Sequence, residues 1–297
     1  MKILITGLTG FIGKNFYKYS KFKNDILAIS RQGSVLKNFN SEDLNYIDCG
    51  LEDINKFTTE IKRFNPDCVL NFAWGGIPDY SEDISNNNLN LTLDFFNFLE
   101  KNTNIKKFIN TGTCAEYFNP TGKIDENYPV KPYDHFSSAK IKLSQELGIK
   151  CLKSKITYVN LRLFYVFGAY QRNESLIPYL INSYKKGTIP KLSKPFSRLD
   201  YVYVEDVIRV MDNCIKNDIS SGAYNVGSGQ SISNYEIQRF ISNKFNYDFD
   251  ENTYHEQESD INFFADITKL NSKLNWTPKF KVYEGIKKMF RDLNNNY

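Results

Sequence analysis

The sequence predicts an α/β protein: a doubly wound parallel sheet with a smaller C-terminal substrate-binding lobe. Three observations carry that expectation. Short apolar runs alternate with helix-compatible segments up to residue 167, a glycine cluster follows the first apolar run at once, and beyond Gly168 the rhythm changes to aromatic, proline-containing stretches. Strands that alternate with helices need crossover connections, which are right-handed within one sheet and make it parallel.

Residues 2–6 (KILIT) read as a short buried strand that stops at GLTGFIG, and KNFYKYSKF then suits a helix. Further strands are expected at 25–30 (DILAIS), 44–48 (LNYID), 67–73 (DCVLNFA), 106–112 (KKFINTG) and 157–167 (TYVNLRLFYVF). Helices are expected over EDINKFTTEIKRF, within ISNNNLNLTLDFFNFLEK and over 136–150. Residues 1–167 form the first domain in this scheme. Residues 168–297 form mainly a lobe that closes over the carboxyl ends of the strands, where ligands bind in this architecture, with some segments returning to the first domain. The asparagine-rich DLNNNY should fray.

Composition excludes several classes of function. The net charge of +4 comes from 38 basic and 34 acidic residues that are interspersed, so no basic stripe marks nucleic acid or an anionic membrane as a partner. The five cysteines, Cys49, Cys68, Cys114, Cys151 and Cys214, are scattered with no CxxC, which fits neither a disulfide framework nor a thiolate zinc site. With only two histidines, His135 and His255, a histidine-rich metal centre is excluded, and no metal is expected. The apolar run in MKILITGLTG is too short for a signal segment and no stretch is long enough to span a bilayer, so a soluble, cytoplasmic protein is expected.

GLTGFIG places Gly7, Gly10 and Gly13 between a strand and a helix, with Thr9, Phe11 and Ile12 among them. Glycine permits the tight turn and the close approach of backbone N–H groups to a pyrophosphate, and the helix N-terminus adds partial positive charge. The strand, glycine and helix context marks a dinucleotide-binding turn. The loop after the second strand should face the adenosine ribose. It reads ISRQGS, with Ser30, Arg31 and Ser34 and no acid between Ile26 and Asn40. A carboxylate there would accept from a 2'-hydroxyl, whereas a guanidinium with hydroxyls suits a 2'-phosphate. NADP (NADPH) is therefore favoured over NAD.

Further landmarks follow in order: VLNFAW (69–74), Asn88 and Thr92 at N-x-x-x-T spacing, FINTGTCAEY, YDHFSSAK, LRLFYVFG, RLDYVYVEDV and YNVGSG. Together with the glycine turn they resemble the extended short-chain dehydrogenase/reductases over nearly the full length, in particular the nucleotide-sugar epimerases, dehydratases and reductases. The resemblance implies a Rossmann domain that binds a dinucleotide and a second lobe that binds a nucleoside-diphosphate sugar. It implies that Phe72, Ala73, Trp74, Lys140, Phe164 and Val166 contact the cofactor. Trp74, Thr113, Tyr117, Tyr165, Ser175 and Arg198 would contact the substrate, and the enzyme would be a homodimer.

The same resemblance assigns catalytic positions. Thr113, four residues before Tyr117, maps to the hydroxyl that orients the substrate oxygen, and Lys140 to the lysine of Y-x-x-x-K that holds the nicotinamide ribose. Phe136 then falls on the tyrosine. In the family that tyrosine transfers a proton, its phenolate favoured by the neighbouring ammonium. Phenylalanine fills the volume but has no proton to give, and losing a general acid costs about 10²- to 10⁴-fold. A slow or inactive Tyr-to-Phe form is expected, whether an experimenter made the exchange or the natural acid was lost or moved; Tyr133 and Tyr117 are substitutes to consider, but Tyr133 lies almost two helical turns from Lys140 and a structural or substrate-contact role suits Tyr117 better. Departures from the family pattern include Phe118 for a glycine, Tyr165 for an asparagine, and Arg198 one place early, with Leu199 before the aspartate. SLIPYL (175–180) resembles a nucleotide lid.

The expected reaction is NADPH-dependent reduction of the 4-keto group of a nucleoside-diphosphate 4-keto-6-deoxyhexose, because a net reductase draws on NADPH while an epimerase or dehydratase retains NAD. A 4-epimerase or dehydratase using bound NAD is the alternative, and a non-catalytic dinucleotide sensor the third.

Overall fold

The computed structural model describes residues 1–22, 25–31, 44–247, 254 and 261–294. Ser34, His255 and the end of the asparagine-rich tail lie outside them. The central sheet has seven strands in the order β11-β7-β5-β4-β1-β2-β3. These are β1 (Ile3–Thr6), β2 (Ile26–Ser30), β3 (Asn45–Asp48), β4 (Cys68–Asn71), β5 (Lys107–Thr113), β7 (Thr157–Leu163) and β11 (Gly222–Val226). β1 pairs parallel with β2 and β4, β2 with β3, β4 with β5, and β5 with β7. This is the doubly wound plan that the alternation predicted. The short apolar runs fit it because parallel strands are covered on both faces.

The glycine turn leads into α1 (Phe11–Tyr19), which begins inside GLTGFIG rather than after it. The segment expected as one helix after β3 opens as a 3₁₀ turn over Leu51–Phe57 and continues as α2 (Thr58–Phe64). On one face of the sheet lie α3 (Glu82–Asn102) and α4 (His135–Lys153), whose Phe95, Phe96, Leu99, Leu143 and Leu147 form a core with Leu4, Val69 and Phe108.

The strand expected at 157–167 is broken. β7 ends at Leu163, opposite Thr113, where β5 also ends. Past that point the ladder has no partner to offer. The Phe164 N–H turns to the Val226 carbonyl and Tyr165 N–H to that of Asp200, and β8 (Tyr165–Phe167) pairs with β10 (Tyr201–Tyr203) instead.

The chain divides into two compact units. The first contains residues 1–118, 128–163 and 208–224; the second contains 119–127, 164–207 and 225–297. The division thus falls at Phe164 rather than 168, because the ladder ends there, and the returning segment is mainly α6 (Val204–Lys216). The second unit also pairs β6 (Gly122–Ile124) with β13 (Phe263–Ala265), and β9 (Arg198–Leu199) with β12 (Ile232–Ser233). The buried Asp200 carboxylate organises that unit, accepting N–H bonds from Ser228, Gly229 and Ala265. Its helices are α5 (Leu176–Lys185), α7 (Asn234–Lys244), α8 (Thr268–Leu274) and α9 (Val282–Asn294). All five cysteines are free and buried. Among the described residues no helix is long and apolar enough to cross a membrane, and no cluster of three or more metal-ligating side chains occurs.

Gly13 shows how tightly the turn is built. A β-carbon there would lie 2.4 Å from both the Gly7 carbonyl oxygen and Leu8 Cα, backbone atoms with no flexible end to move. Gly13→Ala should therefore destabilise the fold by roughly 1–3 kcal/mol, as overpacking does. The check is the midpoint of denaturant unfolding against the native chain.

Candidate active site

A groove of about 590 Å³ runs along the carboxyl ends of the strands in the first unit. It brings together Gly7, Thr9, Gly10, Ser30, Arg31, Phe72, Ala73 and Trp74, all of them expected at a cofactor. Thr6, Ile29, Cys49, Gly50, Leu51 and Gly75 line it as well, and sequence reading missed them. The short loop after β3, where the chain must pass the groove, was the available signal for Cys49 to Leu51. The Cys49 thiol is pushed up to about 11 by burial and then by Asp53, Glu52 and Asp48. It stays protonated and is no nucleophile there.

The glycine turn fits a pyrophosphate on its own geometry. Gly7 has φ +72°, and a β-carbon on it would stand 2.7 Å from the Ala73 nitrogen. Gly10, the N-cap of α1, supplies no side-chain cap, and the first turn has no acid. The leading N–H groups of α1 thus have no capping side chain, the arrangement that receives an anion. Phe11, Ile12 and Gly13 form that first turn.

Across the groove, Thr9 Oγ1 and Ser30 Oγ lie 3.3 Å apart. Arg31 reaches over Gly75, its Nη2 3.4 Å from where a β-carbon of Gly75 would be. Gly75 is itself pinned by Asn88: its N–H donates to Asn88 Oδ1 (2.6 Å), and Asn88 Nδ2 donates back to its carbonyl (3.0 Å). Thr92 Oγ1 donates to the Asn88 carbonyl at 2.8 Å. The N-x-x-x-T spacing places both on one face of α3, where they hold the loop after β4.

Phe136 and Lys140 share a face of α4, which is started by a reciprocal cap between Asp134 and Ser137. The Lys140 ammonium lies 3.8 Å above the Trp74 ring and 5.9 Å from that of Phe136, and donates to the Thr111 carbonyl at 3.1 Å. The Phe136 ring meets Trp74 edge-on at 5.6 Å and Tyr80 at 5.1 Å. Tyr80, from the loop before α3, was not anticipated. Thr113 closes β5; its Oγ1 accepts the Ala115 N–H and its own N–H donates to Glu116, so its hydroxyl proton is left to donate elsewhere.

Glu116 is buried and paired with Arg162 at 2.7 Å. Arg162 also donates to the Tyr117 hydroxyl at 3.1 Å. This corrects the expectation that Tyr117 contacts substrate. Its ring is fully buried and packs against Tyr128, leaving no surface for a sugar, and its hydroxyl is engaged. Tyr133, the other substitute considered, precedes α4 and is 62% exposed.

The other expected contacts belong to the second unit. Phe164 is buried with its ring 6.0 Å from Phe263, Val166 is half-buried in β8, and Tyr165 is exposed. Ser175 is the N-cap of α5. Arg198, expected at a diphosphate, instead pairs with Glu236 at 2.8 Å and donates to the Ser231 carbonyl. Glu236 lies on α7, 38 residues further along the chain, which the local motif did not reveal.

Residues 3–227 match the model of the NAD dependent epimerase/dehydratase family, and the chain belongs to that family, within the extended short-chain dehydrogenase/reductases. The low-salt glycan biosynthesis protein Agl12 of Haloferax volcanii is 24% identical over 302 aligned residues, covering 96% of each chain. A CDP-abequose synthase of Salmonella muenchen is 29% identical over 142 residues, 45% of this chain and 47% of that one. The structure of UDP-glucose 4-epimerase with UDP-glucose from Thermotoga maritima matches 100% of this chain and 99% of its own, with a TM-score of 0.84 at 20% identity.

Burial lowers the Lys140 pKa to about 8, only partly offset by the Glu116 carboxylate. Unfolded, the same ammonium titrates near 10.4. Between those values the unfolded chain binds more protons, so stability rises with pH through this window and the cost of the buried charge is in full force below about pH 8. Lys140→Met should remove that rise, worth up to about 3 kcal/mol at 1.36 kcal/mol per unit. Urea unfolding of both chains from pH 7 to 10.5 would show their difference in stability changing by that amount.

Proposed function

We propose that the protein reduces the 4-keto group of a nucleoside-diphosphate 4-keto-6-deoxyhexose with NADPH. The observation that carries this reading is the groove wall: Arg31, Ser30 and Thr9 line it, and no carboxylate does among the described residues. A dinucleotide with a 2'-phosphate finds donors there, whereas a 2'-hydroxyl finds no acid to accept its proton. A relative named for making a CDP-linked product agrees with a nucleotide-sugar substrate.

The N–H groups at the start of α1 hold the pyrophosphate, and Lys140 donates to the nicotinamide ribose. The bound cofactor supplies the reducing equivalent. Thr113 donates its hydroxyl proton in a hydrogen bond to the keto oxygen and fixes its direction. Phe136 holds the shape of the site and supplies no proton, so the oxygen that becomes the 4-hydroxyl takes its proton from solvent water, which makes turnover slow. Tyr165, Ser175 and Arg198 are proposed for the sugar nucleotide, Arg198 exchanging Glu236 for phosphate oxygens. Ile149 and Leu152, exposed on α4, support a homodimer, which sedimentation velocity would read directly.

Names among the similar proteins agree as well with an epimerase or dehydratase that keeps NAD. Cofactor binding and consumption separate the two. The native chain should bind NADPH more tightly than NADH, and Arg31→Ala should abolish that preference. Phe136→Tyr should raise NADPH oxidation by a 4-keto sugar nucleotide about 10²- to 10⁴-fold. Equal binding of both dinucleotides, unchanged in Arg31→Ala, would overturn the reductase reading, and no turnover by Phe136→Tyr would favour a dinucleotide sensor.

A further inference from the structure

Strands of a sheet covered on both faces are normally apolar throughout, yet one row across this sheet is polar. Thr6, Asn71, Asn110 and Asn160 stand opposite one another in the register of β1, β4, β5 and β7. None is more than 2% exposed. Their side chains form an unbroken relay. Thr6 Oγ1 donates to Asn71 Oδ1 at 2.7 Å, Asn71 Nδ2 to Asn110 Oδ1 at 2.9 Å, and Asn110 Nδ2 to Asn160 Oδ1 at 3.0 Å. Asn160 Nδ2 then faces Glu116, 3.3 Å from Oε1 and 3.4 Å from Oε2.

The chemistry of the ends fixes the direction. Glu116, ion-paired to Arg162, can only accept, so Asn160 must turn its NH₂ toward it, and each amide behind must follow. At the other end Thr6 Oγ1 accepts the Ala73 N–H at 3.3 Å, which leaves its proton for Asn71. Reversing any one amide would set acceptor against acceptor at a buried contact, where an unmade bond costs most.

Both ends of the relay and its middle touch the site. Thr6 and Ala73 line the groove, and Glu116 holds the Thr113 N–H at 3.1 Å. The Asn71 carbonyl accepts the Thr111 hydroxyl at 3.0 Å, and the Thr111 carbonyl accepts the Lys140 ammonium. Room for the relay is made by Gly112, where a β-carbon would lie 2.6 Å from Glu116 Oε1 and 2.8 Å from both Asn160 amide atoms.

We infer that Asn71, Asn110 and Asn160 are positioning residues that hold the cofactor groove and the Thr113–Lys140 pair in one fixed relative placement. A packing role alone would be filled as well by leucine, which has the same number and branching of side-chain heavy atoms and no polar group to desolvate. The effect on rate rests on the proposed reductase activity; the effect on structure does not.

The test uses Asn110→Leu and Asn110→Thr. Threonine suits a strand but its single hydroxyl is too short to reach both neighbours, so it decides the matter if the leucine chain does not fold. With threonine methyls labelled for NMR, the resonances of Thr6 and Thr113 should both shift, although residue 110 lies two strands from one and three residues along the strand from the other. With a 4-keto sugar nucleotide, kcat of the folded variant should fall by up to about 10²-fold while KM changes less than about threefold. A lower melting temperature with the Thr113 methyl unmoved would show a structural role only and overturn the inference. If the native chain turns over no keto sugar, the reductase reading fails, and the methyl spectra still decide this one.

Discussion

The end of β5 is arranged around one buried ion pair. Glu116 is 1% exposed and Arg162 8%, and they meet at 2.7 Å. Such a pair contributes little net stability, because removing both charges from water offsets most of their attraction. Its importance lies in what it orders. Glu116 accepts the Thr113 N–H and so fixes the turn that presents the Thr113 hydroxyl. Arg162 takes up the Tyr117 hydroxyl and lies against its ring, with its guanidinium carbon 4.8 Å from the centroid. One carboxylate thus sets the end of β5 and the direction of the amide row.

Lys140 feels three effects of different size. Burial disfavours its charge, Glu116 favours it, and the face of Trp74 at 3.8 Å also favours it. Burial wins, but only so far as to bring the pKa to about 8, so at neutral pH the side chain is still mostly an ammonium. That matters because the side chain is a charged donor to the Thr111 carbonyl, where a neutral amine would make the weaker bond. Glu116 and Trp74 together keep a fully enclosed lysine charged enough to serve as one.

What could be read in the sequence was what is local. Gly7, Gly10 and Gly13 announce a turn because their spacing alone dictates its geometry, and the absence of an acid after Ile26 is visible in a dozen residues. Phe136 and Lys140 were legible as neighbours through the helical period. Of the two roles expected for Tyr117, the sequence could not select the structural one, because its burial depends on Arg162 and Tyr128, which no spacing links to it. The amide row was missed for the same reason, although it leaves a trace: LIT, VLN, FIN and YVN each carry one polar residue after two apolar ones at the same depth of a strand. Only the register converts four unremarkable triplets into a line of contacts.

Phe136 can be understood within this frame. Its ring packs edge-on against Trp74 and obliquely against Tyr80, so both its edge and its face are occupied by aromatic neighbours. Two rings, Trp74 and Phe136, flank the Lys140 ammonium, and a phenyl does so without offering a hydrogen bond in return. A hydroxyl at this position would restore a polar neighbour to the charge as well as a proton to the site. Neither the glycine turn nor the Glu116–Arg162 pair is built from the side chain at position 136, so each keeps its form whichever aromatic ring stands there.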